Sequence, residues 1–417
     1  MSTVRLQHPE AVVDVTTKGW RVEAPLTAER VRREHPRLAD LGVSWPLATL
    51  DADALDHNVA TMARVCTGAG VLVAPHLKTH MSAPLLQLQL DAGAWGPTVA
   101  TPAQARVAFS WGCPAVLLAN ELVDAFDASD LLHRARLADG VLWCYVDSRR
   151  GVQVLAEALA ARPQVRRHLG VLVELGAAGA RTGVRGTTEA LALARTAASH
   201  GLPLVGTAGY EGAVTATTDV HGLAAAAAFV DALRDLAAAM VAERLVATPP
   251  VVSVGGSSYL DVVLQRLPLP LPDGSRVRGV VRSGAYLSHD HGMYARSDPW
   301  RRMRPAAALR PALDVRGQVL SVPEPGLALL GLGRRDVGFD QDLPLPLTVH
   351  DGPEVRPATG RVTALNDQHA FLREEARVQV GEVVTLGISH PCTLFDKWRV
   401  LPVLRSGRVV DLVATVF

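Results

Sequence analysis

Short apolar runs alternate with Ala/Leu-rich amphipathic stretches between residues 46 and 290. The runs are PLATL (46–50), GVLVAP (70–75), GPTVAT (96–101), AVLLAN (115–120), VLWCYVD (141–147), GVLVELG (170–176), PLVGTAGYEG (203–212) and PVVSVGG (250–256). They are continuously apolar rather than alternating, as strands buried on both faces are. Between them lie helical patterns such as DADALDHNVATMARVCTGAG, TPAQARVAFSWG and TTEALALARTAASHG, the last two ending at a glycine suited to a C-cap. Eight βα units over this length predict a (β/α)8 barrel. An open doubly wound sheet is the alternative that shares the pattern.

After residue 290 the texture changes. Proline and glycine punctuate short runs such as RPALDVRGQVLSV, GLALLGLG, GEVVTLGISHP and RVVDLVATVF, which predict an antiparallel β-domain. Residues 1–45 carry no clear pattern and pack on either domain. The division is therefore an N-terminal segment over 1–45, a barrel over 46–290 and a β-domain over 291–417.

Composition narrows the function. The chain has 417 residues, 48% hydrophobic, with a net charge of +1, so no basic excess points to nucleic acid. The N-terminus lacks the apolar core of a secretory signal, and the longest apolar run, LAAAAAFVDALRDLAAAM, is interrupted by Asp231, Arg234 and Asp235; no membrane span is expected. The four cysteines (66, 113, 144 and 392) form no CxxC pair, which fits reduced thiols in a cytoplasm.

Lysine is the informative residue. Of 42 Lys+Arg, only Lys18, Lys78 and Lys397 are lysines. Lys78 stands between two histidines in PHLKTH, just past the strand predicted at VLVA. In a barrel this position faces the active site, here at the second βα loop. Desolvation there favours the neutral, nucleophilic amine, which forms Schiff bases with aldehydes. Three other stretches carry candidate chemistry. VGGSS (254–258) offers backbone N–H groups and hydroxyls to a phosphate. His390 and Cys392 in HPC offer a soft pair for one metal, with zinc favoured over magnesium or calcium and positions left open for water or substrate. Arg181 in GARTGV offers a guanidinium to a phenolic oxygen or a carboxylate, and Tyr210 closes a strand where its ring can pack on a planar ligand.

PHLKTH, SGAYLSHDHG and SHPCTLFD together resemble the fold-type III pyridoxal-phosphate enzymes. Within these the chain is similar to the D-serine dehydratase / D-threonine aldolase branch, which shares its barrel with alanine racemases. The resemblance spans roughly residues 45–400. It implies that Lys78 is the Schiff-base lysine and that His76, Arg181, Tyr210, Gly255, Gly256, Ser257, Arg282 and Tyr286 contact pyridoxal phosphate. It further implies that His390 and Cys392 hold a divalent metal, zinc first and manganese second. Ser258 stands where many relatives have proline. His369, in NDQHA, falls near a family EHG-like segment from which Gln368 and Ala370 depart. The activity implied is elimination from a β-hydroxy-D-amino acid, giving a 2-keto acid and ammonia, in a cytoplasmic homodimer. Retro-aldol cleavage to glycine and an aldehyde is the alternative, since HxC goes mostly with dehydratases and HxD with aldolases. An amino acid racemase or a non-catalytic cofactor-binding barrel are further readings.

Overall fold

The computed structural model describes residues 4–303 and 308–417. Its larger unit is a barrel of eight parallel strands: Leu72–Val73, Thr98–Val99, Ala115–Glu121, Val141–Val146, Leu169–Leu175, Leu204–Gly209, Val251–Val254 and Arg278–Val281. From the second to the eighth each strand pairs with its successor, and the last pairs with the first. The ring closes between the first two strands, where Trp95 N–H donates to Val73 O and Thr98 N–H to Pro75 O, each at 2.8 Å. Because every strand is covered on both sides, its sequence is apolar throughout. Leu117, Trp143, Tyr145, Leu172, Ala208, Val251 and Val280 face inward and fill the barrel. A methyl on Gly170 would sit 2.4 Å from the Trp143 indole, so glycine there makes room for the largest interior ring.

The helices obey the predicted stop signals. Pro102–Ser110 starts on a Thr101 cap, and Gly112 (φ 86°) and Gly201 (φ 72°) adopt the left-handed conformation just past two helix ends. The alanine-rich run forms the helix Val220–Ala242, packed on the barrel through Phe229, Leu233 and Leu236. No helix among the described residues is long and apolar enough to cross a membrane.

Seven of the eight predicted barrel strands are in the barrel, and the first is not. Leu47–Asp51 instead pairs antiparallel with Leu313–Glu324 and parallel with Val400–Arg405 in the β-domain. The eighth barrel strand is Arg278–Val281. Both segments are short apolar runs, and only long-range pairing distinguishes them. As a consequence Lys78 follows the first barrel strand, not the second.

The β-domain is built around the twelve-residue strand Leu313–Glu324, flanked by Val383–Gly387, Leu327–Leu330 and Leu47–Asp51. Its core takes in Ala11, Val13, Trp20, Leu26 and Val31, so most of the N-terminal segment packs here. Residues 282–303 connect the two units. Within them His291 N–H donates to Ile388 O at 2.8 Å and Met293 N–H to Ser389 O at 3.3 Å, which fastens the connection beside His390.

Candidate active site at the barrel mouth

The lysine loop is a single 3-10 turn, Leu77–Thr79. Leu77, Thr79 and His80 are buried and anchor it, which leaves Lys78 turned outward and exposed. The desolvated lysine expected from sequence is therefore replaced by an accessible one. Its isolation is of another kind. Lys18 pairs with Asp336 at 2.9 Å and Lys397 with Asp396 at 3.6 Å, whereas Lys78 has no hydrogen-bond or ion-pair partner among the described residues.

The two flanking histidines have different tasks. His80 Nδ1 accepts the Ser82 N–H at 3.1 Å, and Nε2 faces Gln89 Oε1 at 3.4 Å. Burial lowers its pKa to about 4, so it is a neutral strut under the loop. His76 is also held neutral, first by burial and then by the charges of Lys78, Arg282 and Arg181. Its Nδ1 is buried without a partner. Those three cations act on one imidazole, which brings Lys78, His76, Arg181 and Arg282 into one mouth.

Two strands along the ring from the lysine loop, VGGSS differs from expectation. The N–H groups of Gly255 and Gly256 both donate to the carboxylate of Glu211, Gly255 at 3.0 Å. Glu211 is fully buried, so these two amides are not free for a phosphate. Gly255 must be glycine because a Cβ would meet the Tyr210 ring at 2.6 Å, and Gly256 has φ 80°. The donors that remain come from the loops after the seventh and eighth strands. Ser257 Oγ and Ser283 Oγ lie 3.5 Å apart, and the amides of Ser257, Gly284 and Ala285 have no backbone acceptor among the described residues. Barrels bind phosphate at this same pair of loops, so the donor set fits a phosphate with its centre moved from Gly255–Gly256 toward Ser257 and Ser283.

Arg282 is buried inside the barrel. Its Nη1 donates to Ser253 Oγ and its Nη2 to Gly209 O, both at 2.7 Å, and its guanidinium lies 5.7 Å from the Tyr145 ring. Arg181 is exposed and lies 4.9 Å from the Tyr210 ring centre. Tyr286 is not with them. It is 2% exposed, its hydroxyl accepts from Gln89 Nε2 at 2.9 Å, and it lines a cavity with Val59, Met62 and Ala92 behind the loop. It supports His80 through Gln89. His369 is exposed in a hairpin turn.

His390 and Cys392 reach the same mouth from the β-domain. Cys392 starts the short helix Cys392–Phe395, and its Sγ lies 3.5 Å from Thr79 Oγ1, next to Lys78. His390 Nδ1 is 2.6 Å from Asp340 Oδ2, while Asp340 Oδ1 accepts from Thr393 at 2.6 Å. That leaves Nε2 of His390 for Cys392 or an ion. A carboxylate behind a histidine is the usual support for a metal ligand, since it fixes the tautomer and raises basicity. The hydrogen bond to Cys392, followed by its charge and by Asp340, outweighs burial and raises the His390 pKa to about 9. Burial alone would raise the Cys392 pKa, but His390, Thr79 and Lys78 together hold it below its ordinary value. The other three cysteines are buried thiols pushed up to about 12. The one cysteine held below its ordinary pKa, beside a carboxylate-supported histidine, fits a soft divalent metal, whereas the other three are inert buried thiols.

Sequence reasoning missed Thr79, Glu211, Ser283, Asp340 and three acids at strand ends, Glu121, Asp147 and Glu174. Asp147 and Glu174 had a legible signal, because each closes an apolar run in VLWCYVD or GVLVELG. Asp340 and Glu211 had none, since their partners lie 50 and about 45 residues away.

A parallel barrel joined to an antiparallel β-domain is the architecture of alanine-racemase-like proteins. The family described as "Alanine racemase, N-terminal domain" matches residues 50–260, and the chain belongs to it. A second family, "Putative serine dehydratase domain", matches residues 312–404, the segment that contains His390 and Cys392. Among curated relatives, the chain is 28% identical to D-threo-3-hydroxyaspartate dehydratase of Delftia sp. (strain HT23), over 83% of this chain and 87% of the relative. It is 25% identical to 3-hydroxy-D-aspartate aldolase of Paracoccus denitrificans (strain Pd 1222), over 90% and 92%. The crystal structure of D-threonine aldolase from Filomicrobium marinum shares the fold, with a TM-score of 0.74, 24% identity, and coverage of 91% and 96%.

Proposed function

We propose that this chain is a pyridoxal-phosphate- and metal-dependent lyase acting on β-hydroxy-D-amino acids, with D-serine or D-threonine dehydration to a 2-keto acid and ammonia as its reaction. The observation that carries this reading is the contact of Cys392 with Thr79 beside the unpaired Lys78. It joins the lysine and the metal pair into one centre. The cofactor supplies an electron sink for a bond broken at Cα, and the metal supplies Lewis-acid polarisation of the β-hydroxyl.

The chain's own residues have separable tasks. Lys78 is the residue that would hold the cofactor, and its amine would take the proton from Cα. Ser257 and Ser283, with neighbouring amides, hold the phosphate. Arg282, His76, Arg181 and Tyr210 would line the pocket around the cofactor's ring. His390 Nε2 and Cys392 Sγ hold the metal, a pair soft enough to favour zinc, with manganese second. The protein works as a cytoplasmic homodimer.

The aldolase outcome is the second reading, because the similar proteins include both a dehydratase and aldolases. Cys392, in place of a harder carboxylate, favours the dehydratase. A racemase would bring a tyrosine from the β-domain, yet none of the five tyrosines follows Tyr294. The discriminating assay follows 2-keto acid and aldehyde together from D-serine and D-threonine. We expect 2-keto acid as the main product, activity lost on chelation and restored by zinc, and Cys392→Ala to match the chelated protein. Aldehyde and glycine as main products would overturn the dehydratase reading. Full activity with no metal by elemental analysis would remove the metal from it.

A further inference from the structure

Three consecutive barrel strands end in acids that point inward. Side chains along a strand alternate between faces. Leu117, Tyr145 and Leu172 belong to the barrel interior, so positions 121, 147 and 174 continue the same inward rows toward the mouth. Across a bulge after Leu117, Glu121 comes opposite Tyr145, and Tyr145 lies opposite Leu172. One oxygen from each of Glu121, Asp147 and Glu174 lies within 4.8 Å of the other two.

None of these acids forms an ion pair among the described residues. Asp147 accepts the Gly183 N–H at 3.1 Å. Both oxygens of Glu121 and Oε2 of Glu174 are buried and accept no N–H or hydroxyl donor, and Glu174 is only 7% exposed. Burial and then the adjoining Glu174 carboxyl push the Glu121 pKa up to about 9, so without a cation the two acids share a proton. A fourth group adds to this independently. Tyr145, one inward step below Asp147, is 1% exposed with its hydroxyl unpartnered. Arg282, which lies against the Tyr145 ring, has Nη1 and Nη2 committed to Ser253 and Gly209. Buried carboxylates need a counter-charge or hydrogen bonds, and here the protein supplies few of either.

Their spacing suits one ion. Two ligands of a single cation can be no farther apart than twice the metal–oxygen distance, about 4.2 Å for Mg2+ and about 4.6–5.2 Å for Ca2+. We propose that Glu121, Asp147 and Glu174 form a hard-cation site for Ca2+ or Mn2+, ligated by carboxylates and distinct from the softer His390–Cys392 pair. It lies on the third, fourth and fifth strands, across the mouth from the loop that carries Lys78. A cation there neutralises acids that would otherwise face an anionic ligand.

The test uses the full-length protein as purified, stripped with chelator and titrated with Mn2+ by electron paramagnetic resonance. A His390→Ala/Cys392→Ala variant isolates the acidic site. This variant should still bind one Mn2+ per chain, displaced by Ca2+, and adding Glu174→Gln should weaken that binding at least tenfold. A second readout avoids reliance on variants: Ca2+ should raise the melting temperature of the unmutated protein after its soft site is filled with zinc. Absence of Mn2+ binding in the folded double variant would overturn the proposal. So would Mn2+ affinity unchanged by Glu174→Gln, or a melting temperature indifferent to Ca2+.

Discussion

At the level of single residues, the two histidines around Lys78 show how identical side chains are separated by their surroundings. His80 is locked by Ser82 and Gln89, while the His76 Nδ1 lacks a partner. The motif PHLKTH was legible as a unit, but nothing in it says which histidine is scaffold. The depressed pKa of His80 has a consequence for stability. Its folded value is about 4 against an ordinary 6.5, so the unfolded chain binds the proton more readily. Stability is complete above pH 6.5 and falls as pH drops toward 4, by about 2 kcal/mol at pH 5. His80→Gln removes this dependence. Urea midpoints should show the variant's deficit shrinking by about that amount between pH 7 and pH 5. A deficit that stays constant would contradict the buried neutral imidazole.

Among the elements, the turn after the seventh strand repays comparison with its sequence. VGGSS reads as a phosphate loop on its own, yet Glu211 from the preceding strand's turn takes the two glycine amides. That competition could not be read locally, because the acid and the glycines come from different βα units. The same limit explains the strand Leu47–Asp51. Its apolar run is indistinguishable from a barrel strand until its partners in the β-domain are known. Continuous apolar runs, helix caps and terminal glycines were legible because they depend on neighbours in sequence. Glu211→Gln is the sharp probe of the turn. One amide oxygen can still accept, but the NH2 group then faces a backbone N–H. A loss of about 1–3 kcal/mol follows from one buried donor left unpaired. Equilibrium unfolding should record it, and a loss below about 0.5 kcal/mol would contradict the role assigned to Glu211.

For the molecule as a whole, the barrel and the β-domain meet where the chemistry is proposed. The connection through residues 282–303 is pinned to Ile388 and Ser389, and Tyr294 reaches Ser257 O at 3.3 Å. The segment SGAYLSHDHG, quoted from sequence as a cofactor contact, thus also acts as the clasp that sets His390 and Cys392 against the lysine loop. In the resembling fold type the β-domain also completes a neighbour's barrel, and a homodimer is expected here. Sedimentation over a wide dilution range should give the dimer mass, and a fully active monomer would contradict it. Lys78, the one lysine without a partner among the described residues, is proposed to carry the cofactor. Borohydride reduction of the purified protein followed by peptide mass mapping tests it most directly. A pyridoxyl-phosphate mass increment is expected on the peptide containing Lys78 and on no other. The increment on a peptide containing Lys18 or Lys397, or none on any peptide from protein saturated with pyridoxal phosphate, would contradict it.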